Sequence, residues 1–257
     1  MLIIGTSWGN DSVALVQWLH EHDALSKFET ATCVYANTGW ASRDWPARVE
    51  RGEALAKSYG FATVQLQSVG FVPLAQLKKS WPRNGMQFCT SDLKIKPMEA
   101  FQASVDPAGE STIAIGIRRE ESVARSQWPE YIEHSEKYGG RSAWFPLVRV
   151  TSVERDALLS RAGFDPLPHR SRECYPCINS NRRDLRMIDE ARVSEIEAIE
   201  REMGETKNGK PRTLFRPYRH GGAVGIREVV RWANESPGQY VQGQMLIGEC
   251  DGGYCGD

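Results

Sequence analysis

The feature that most constrains this chain is a rhythm in its first half, where short apolar runs alternate with longer amphipathic stretches. Leu2-Ile3-Ile4 is followed by a Gly/Ser/Asn/Asp turn and then by Ser12 to His22, whose Val13, Leu15, Val16 and Leu19 form an apolar stripe. Thr30 to Tyr35 reads as a second strand, and Arg43 to Tyr59 as a helix closed by Gly60. Phe61 to Leu66 is a third strand, Leu93 to Ala103 a helix with Pro97 near its first turn, and Thr112 to Ile117 a fourth strand. Ala143 to Val150 is a short fifth strand and Ser152 to Arg161 a helix. Strand and helix alternating in this way predict an α/β fold: an open, mostly parallel five-stranded sheet with helices on both faces.

The last third changes character. Asp184 to Met203 reads as one long charged helix with Leu185, Ile188, Ile196 and Ile199 on one side. The stretch 204–217 is rich in Gly, Lys, Pro and Thr and is expected as loop, and Gly225 to Asn234 as a further helix. The division expected is a nucleotide-binding domain over 1–180 and a helical C-terminal extension over 181–257, ending in a glycine-rich tail that holds Cys250 and Cys255.

Charge and cysteine usage narrow the function. With 32 basic and 33 acidic residues the net charge is -1, which argues against holding duplex DNA by bulk electrostatics but leaves room for a local basic groove. No apolar run has the length of a membrane span. Met1-Leu2-Ile3-Ile4-Gly5 carries no basic leader or cleavage site, so a cytoplasmic protein is expected. In a reducing compartment, cysteines in polar or turn-rich sequence point to metal or redox chemistry rather than to staples. Cys33, inside an apolar run, is expected as an inert core thiol. Cys89, Cys174, Cys177, Cys250 and Cys255 all lie in polar or turn-rich sequence.

Five segments carry chemistry. The turn holding Ser7, Gly9, Asp11 and Ser12 stands between the first strand and the first helix, where converging amides and the helix dipole suit a phosphate. Asp11 is a candidate either for Mg²⁺ or for capping the helix. Asn37-Thr38-Gly39 ends the second strand, at the edge where open α/β sheets place ligands. Lys94 and Lys96 open a helix, a position that the dipole disfavours unless an anion compensates. Arg118 and Arg125 follow the fourth strand and offer planar, bidentate recognition of phosphate or sulfate. Cys174-x-x-Cys177 offers two thiolates to one metal or one redox pair.

Taken together these segments resemble the PP-loop adenine nucleotide α-hydrolase superfamily, and within it the sulfonucleotide (PAPS/APS) reductase family. Ser7-Trp8-Gly9-Asn10-Asp11-Ser12 is similar to the PP-loop; Asn37-Thr38-Gly39 to the step after strand two. The segment from Cys89 to Pro97 resembles the family's cysteine–lysine–proline segment. Gly116 to Arg125 resembles its Gly-x-Arg-x-x-(Glu/Gln)-Ser-x-x-Arg stretch, the most specific match. Glu173-Cys174-Tyr175-Pro176-Cys177 resembles the Gly-Cys-x-x-Cys of its cluster-bearing members, with Glu173 in place of glycine. The similarity spans roughly 1–180, together with Glu249-Cys250 in the tail.

The resemblance implies a nucleotide-binding enzyme with a cysteine-ligated 4Fe–4S centre, zinc being the alternative, held by Cys89, Cys174, Cys177 and a tail cysteine. One reading makes Cys250 the nucleophile and Cys255 the fourth ligand; the other makes one tail cysteine a ligand and the second an accessory. Lys94 and Arg118 stand with Cys250 as the candidate catalytic groups. The substrate is PAPS or APS, with a thioredoxin-like or other external thiol as reductant. Asp11-Ser12 is more typical of ATP-cleaving members, so ATP with Mg²⁺ and sulfur transfer to tRNA or DNA is the second reading. A third is a nucleotide-binding module with structural zinc and no turnover. No membrane partner is expected, and a homodimer is left open.

Overall fold

The computed structural model describes residues 1–235. Leu2–Thr6 (β1) is buried along its whole length, as befits a central strand covered on both faces. It pairs in parallel with Ala31–Asn37 (β2) on one side and Thr112–Ala114 (β4) on the other. Ala62–Gln67 (β3) extends the sheet beyond β2, and Ser142–Trp144 (β6) extends it beyond β4, both in parallel. Tyr131–Ile132 (β5) closes the far edge antiparallel to β6, giving six strands in the order β3-β2-β1-β4-β6-β5. The α/β architecture is thus the expected one, with one strand more. β5 is two residues long, too short to carry a readable alternation.

Alternation along the strands sorts the core. Leu2, Ile4, Cys33 and Tyr35 face Val13, Val16 and Leu19 of the helix Asn10–Glu21 (α1), with Val49 and Ala56 of Trp45–Ser58 (α2) and Leu158 and Leu159 of Ser152–Arg161 (α6). Ile3, Val34 and Ile113 face the other way, onto Met98 of Lys96–Val105 (α5). Helices therefore cover both faces. Cys33 is buried, and burial pushes its thiol well above the ordinary range, as an inert core thiol requires. Gly60 follows α2 with φ 86°, the left-handed closure its position suggested.

A third core joins the first part of the chain to the last. Trp40, Phe71 and Leu74 of Phe71–Leu77 (α3), Trp81 and Leu93 pack with Leu185, Val193, Ile196, Phe215, Ile226 and Val229. The helix expected over 184–203 is two helices, Arg182–Arg186 (α7) and Glu190–Met203 (α8). Asn181 caps the first, accepting from the Asp184 amide at 3.0 Å, and Asp189 caps the second, accepting from the Arg192 amide at 2.9 Å. The Tyr175 hydroxyl fills the break, donating to the Met187 carbonyl at 2.7 Å. Ile226–Glu235 (α9) packs on this layer.

Two strands are shorter than expected: β4 ends at Ala114 and β6 at Trp144. The helix expected from Leu93 begins earlier, with a single turn at Phe88–Thr90 (α4) and a π-helical stretch at Ser91–Ile95 before α5. Wide turns of this kind are rare and often stand at functional sites; this one carries Lys94.

Candidate active site at the carboxyl edge of the sheet

The chain winds from β1 outward through β2 to β3, then crosses back to β4 on the opposite side of β1. The order reverses there between the neighbouring strands β1 and β4, and open α/β sheets place ligands at the carboxyl edge of such a switch point. The loop after β1 is organised by its own hydroxyls. The Ser7 amide donates to Ser12 Oγ at 2.9 Å, the two hydroxyl oxygens lie 2.9 Å apart, and the Gly9 amide donates to Ser7 Oγ at 3.3 Å. Gly9 is the N-cap of α1 and no side chain caps the helix, so its first-turn amides carry no side-chain acceptor there.

Two close approaches fix this loop. Trp8 adopts φ 60°, and its buried ring lies where a Cβ on Gly52 would come within 2.2 Å of it. A Cβ on Gly116 would lie 3.0 Å from the Asp11 carbonyl oxygen, so glycine lets the strand β4 exit run against the start of α1. Arg48 Nε donates to the Trp8 carbonyl at 2.7 Å.

Asp11 lies within the first turn of α1, buried, and accepts from Arg118 Nε. Arg118 is buried too; its Nη1 stands 3.3 Å from Glu120 Oε2 and 3.4 Å from Ser152 Oγ. Arg125 forms an ion pair with Glu121. Arg118 and Arg125 are therefore both engaged with carboxylates of the chain itself.

The loop after β2 holds the cysteine segment. Gly39, at φ 64°, donates its amide to Asn37 Oδ1 at 2.9 Å, a side-chain-closed turn. Thr38 Oγ1 donates to the Glu173 carbonyl at 3.1 Å and lies 3.6 Å from Cys174 Sγ. Tyr175 N donates to the Trp40 carbonyl at 2.8 Å, Ser42 N to the Arg172 carbonyl at 2.9 Å, and Trp40 Nε1 to the Pro176 carbonyl at 3.0 Å. Arg192 adds a 2.7 Å bond to the Tyr175 carbonyl and stacks its guanidinium over Trp40 at 3.8 Å.

Cys89, Cys174 and Cys177 line one small cavity together with Trp40, Phe71 and Lys94. Lys94 is buried and donates to Glu173, which is buried as well. Burial opposes charge on Lys94, but nearby Cys174 and the Glu173 carboxylate outweigh it and raise its pKa. Burial raises Glu173 above the usual carboxylate range, and Lys94 draws it back. Burial likewise pushes the Cys174 thiol up to about 12 and Cys89 up to about 11, Lys94 lowering both in part. Glu173, standing where the resembled motif has glycine, is thus the counter-charge of Lys94. Among the described residues no group of three or more His, Cys, Asp or Glu side chains is gathered closely enough to hold a metal ion as it stands. Cys250 and Cys255 lie outside the described residues.

A cavity of about 490 Å³ opens beside the β1 loop at Asn10. Four arginines that the motif reading did not single out line it, Arg155, Arg170, Arg183 and Arg219, with His169, His220 and one carboxylate, Asp184, which stands 3.5 Å from Arg170. Asn10 ties it to the loop, donating to the Leu167 carbonyl at 3.2 Å and accepting from the Leu167 amide at 3.0 Å. A Cβ on Gly9 would stand 3.2 Å from Ser171 Cβ. The same segment, His169 to Cys177, borders the thiols. The one signal in the sequence was the arginine density from Arg170 to Arg186, which no motif spacing organises.

No family model matches the chain. The uncharacterized 37.8 kDa protein in the gpa 5′ region of Escherichia phage 186 is 26% identical over 142 residues, covering 50% of this chain and 42% of that protein. The match thus spans less than half of that relative's length. A crystal structure of phosphoadenylyl-sulfate (PAPS) reductase from Candida auris, in a phosphate complex, aligns with a TM-score of 0.45 and 14% identity over 64% of this chain and 74% of that one.

Proposed function

We propose that the chain is an enzyme of sulfur chemistry that binds an adenine nucleotide, the phosphates seated on the loop from Ser7 to Ser12 and the base and ribose near Asn37 to Trp40. One observation carries the reading: the His169–Cys177 segment borders both the arginine-lined cavity beside the loop and the cavity of Cys89, Cys174 and Cys177. That strip of chain would hold an anionic nucleotide near the thiols.

The substrate that best suits this pairing is a sulfonucleotide, PAPS or APS. A thiolate, with Cys250 as the candidate, attacks the sulfonyl sulfur; the S–O bond breaks and its electrons leave with the nucleotide phosphate, whose charge the cavity arginines stabilise. An external dithiol then attacks the cysteine sulfur, releases sulfite and becomes the disulfide. Arg118 acts through Asp11 as a positioning residue for the loop. Because Arg118 occupies Asp11, the Mg²⁺–ATP reading that Asp11-Ser12 favours is the second one, in which an activated substrate accepts sulfur.

Three soft thiols on one cavity suit, in donor chemistry, three of the four ligands of a 4Fe–4S cluster or a zinc ion, with Cys250 or Cys255 as the fourth. Such a centre would supply a polarising or redox-active group beside the nucleotide. Lys94 and Glu173 set the charge around it. Calorimetry with PAPS, APS and Mg²⁺–ATP separates the substrates, and anaerobic purification with iron, zinc and sulfide analysis tests the centre. Binding of none of the three nucleotides overturns the reading.

A further inference from the structure

The far side of the third core carries a second large cavity, of about 500 Å³. It lies between two short hairpin-like turns, one closed by the Arg83–Met86 bridge and the other by Glu205–Pro211. Lys79, Arg83, Lys210, Arg212 and Arg216 line it, and no carboxylate does. None of these five cations forms an ion pair among the described residues, whereas Arg118, Arg125, Arg141, Arg155, Arg161 and Arg227 all do. In a chain whose net charge is -1, this is a concentration of one sign that no carboxylate among the described residues pairs with.

The groove is built rather than loose. Trp81 Nε1 donates to the Arg212 carbonyl at 3.0 Å, and Arg212 Nη1 donates to the Met203 carbonyl at 3.0 Å and to the Glu205 carbonyl. The two turns are thereby held together while Lys79, Arg83, Lys210 and Arg216 stay exposed. Exposed cations spread along an open groove suit a repeating anion better than a single enclosed one. Trp81 is buried and its N–H is used, so it offers no face for base stacking.

We infer that this groove binds the phosphodiester backbone of a nucleic acid, with little regard to sequence. The inference is independent of the nucleotide site, since none of its residues borders that cavity.

The test is fluorescence anisotropy with labelled single-stranded and duplex oligonucleotides of mixed sequence, across about 50 to 200 mM salt. The wild-type chain binds with affinity that falls as salt rises, and changing the base sequence moves it little. In the variant Lys79→Glu, Arg83→Glu, Lys210→Glu, binding weakens at least tenfold and the log–log salt slope becomes shallower by about 0.7–0.9 for each lost phosphate contact. Nucleotide calorimetry and the thermal melt of that variant stay as in the wild type. Undiminished oligonucleotide binding by the variant overturns the proposal. So does inorganic triphosphate binding as tightly as the oligonucleotide, or capture by anionic vesicles with no oligonucleotide binding.

Discussion

Arg118 and Asp11, 107 residues apart, form a buried ion pair across the divide between β1 and β4. It joins the exit of one strand to the first turn of the helix that follows the other. Removing one partner of a buried pair costs about 3–5 kcal/mol, because the other charge is stranded. Asp11→Asn leaves Arg118 with Glu120 at 3.3 Å, whereas Arg118→Met leaves Asp11 with Arg155 at 3.9 Å. Asp11→Asn should therefore fall near the lower end of that range and Arg118→Met near the upper. Urea unfolding of both variants checks the order, and two near-neutral variants would show that the pair is not a structural anchor.

Gly116→Ala tests the close approach beneath that pair. The new Cβ would meet the Asp11 carbonyl oxygen at 3.0 Å, a backbone atom that cannot swing aside. Overpacking of this kind costs about 1–3 kcal/mol, and the displaced loop should lose nucleotide affinity as well. A stable Gly116→Ala protein with unchanged calorimetry would mean that the strand exit has slack.

The thiols give a pH-dependent prediction. Burial raises Cys174 to about 12 and Cys89 to about 11, so both are protonated at neutral pH in metal-free protein and should alkylate slowly. Lys94→Met removes the cation that lowers Cys174 and should slow that site further. Because metal ligation needs thiolates, loading should strengthen as pH rises and weaken as it falls. Mass-mapped alkylation rates, with and without metal, check this; rapid labelling of Cys174 at pH 7 in the apo protein would contradict it.

The sequence and the structure agree most where periodicity is strong. Val13, Leu15, Val16 and Leu19 mark α1, and all four are buried. The tandem β-branched runs mark β1 to β3. What escaped the sequence is long-range or brief. β5 is two residues long. The break between α7 and α8 depends on Tyr175, which reaches the Met187 carbonyl from a distant loop. At the candidate site, motif spacing singled out Ser7, Ser12, Thr38, Cys89, Cys174 and Cys177, and the structure sets the three cysteines on one cavity with Thr38. Glu173 read as a minor departure, since only the fold brings Lys94 beside it. The arginines of the large cavity come from three stretches of chain, which no local pattern joins.

Asp106 links stability to acid. Burial works against its charge, but hydrogen bonds from the Ser111 hydroxyl and amide, the Glu110 amide and Arg141 outweigh it and hold its pKa well below the ordinary value. A depressed folded pKa contributes stability that is fully present above the unfolded value, about 3.9, and is lost as pH falls through the folded one. Asp106→Asn should lower stability at neutral pH and flatten its decline below about pH 4. Parallel decline of variant and wild type in acid would place the linkage elsewhere.

The most direct measurement is calorimetric titration of the full chain with PAPS, APS and Mg²⁺–ATP, repeated on Ser12→Ala and on Arg170→Ala with Arg183→Ala. The account predicts that a sulfonucleotide binds and that Ser12→Ala weakens it. It further predicts that the double arginine variant costs about tenfold or more, the loss expected from a charge-assisted contact. Heat from none of the three nucleotides, or binding that both variants leave unchanged, would contradict it.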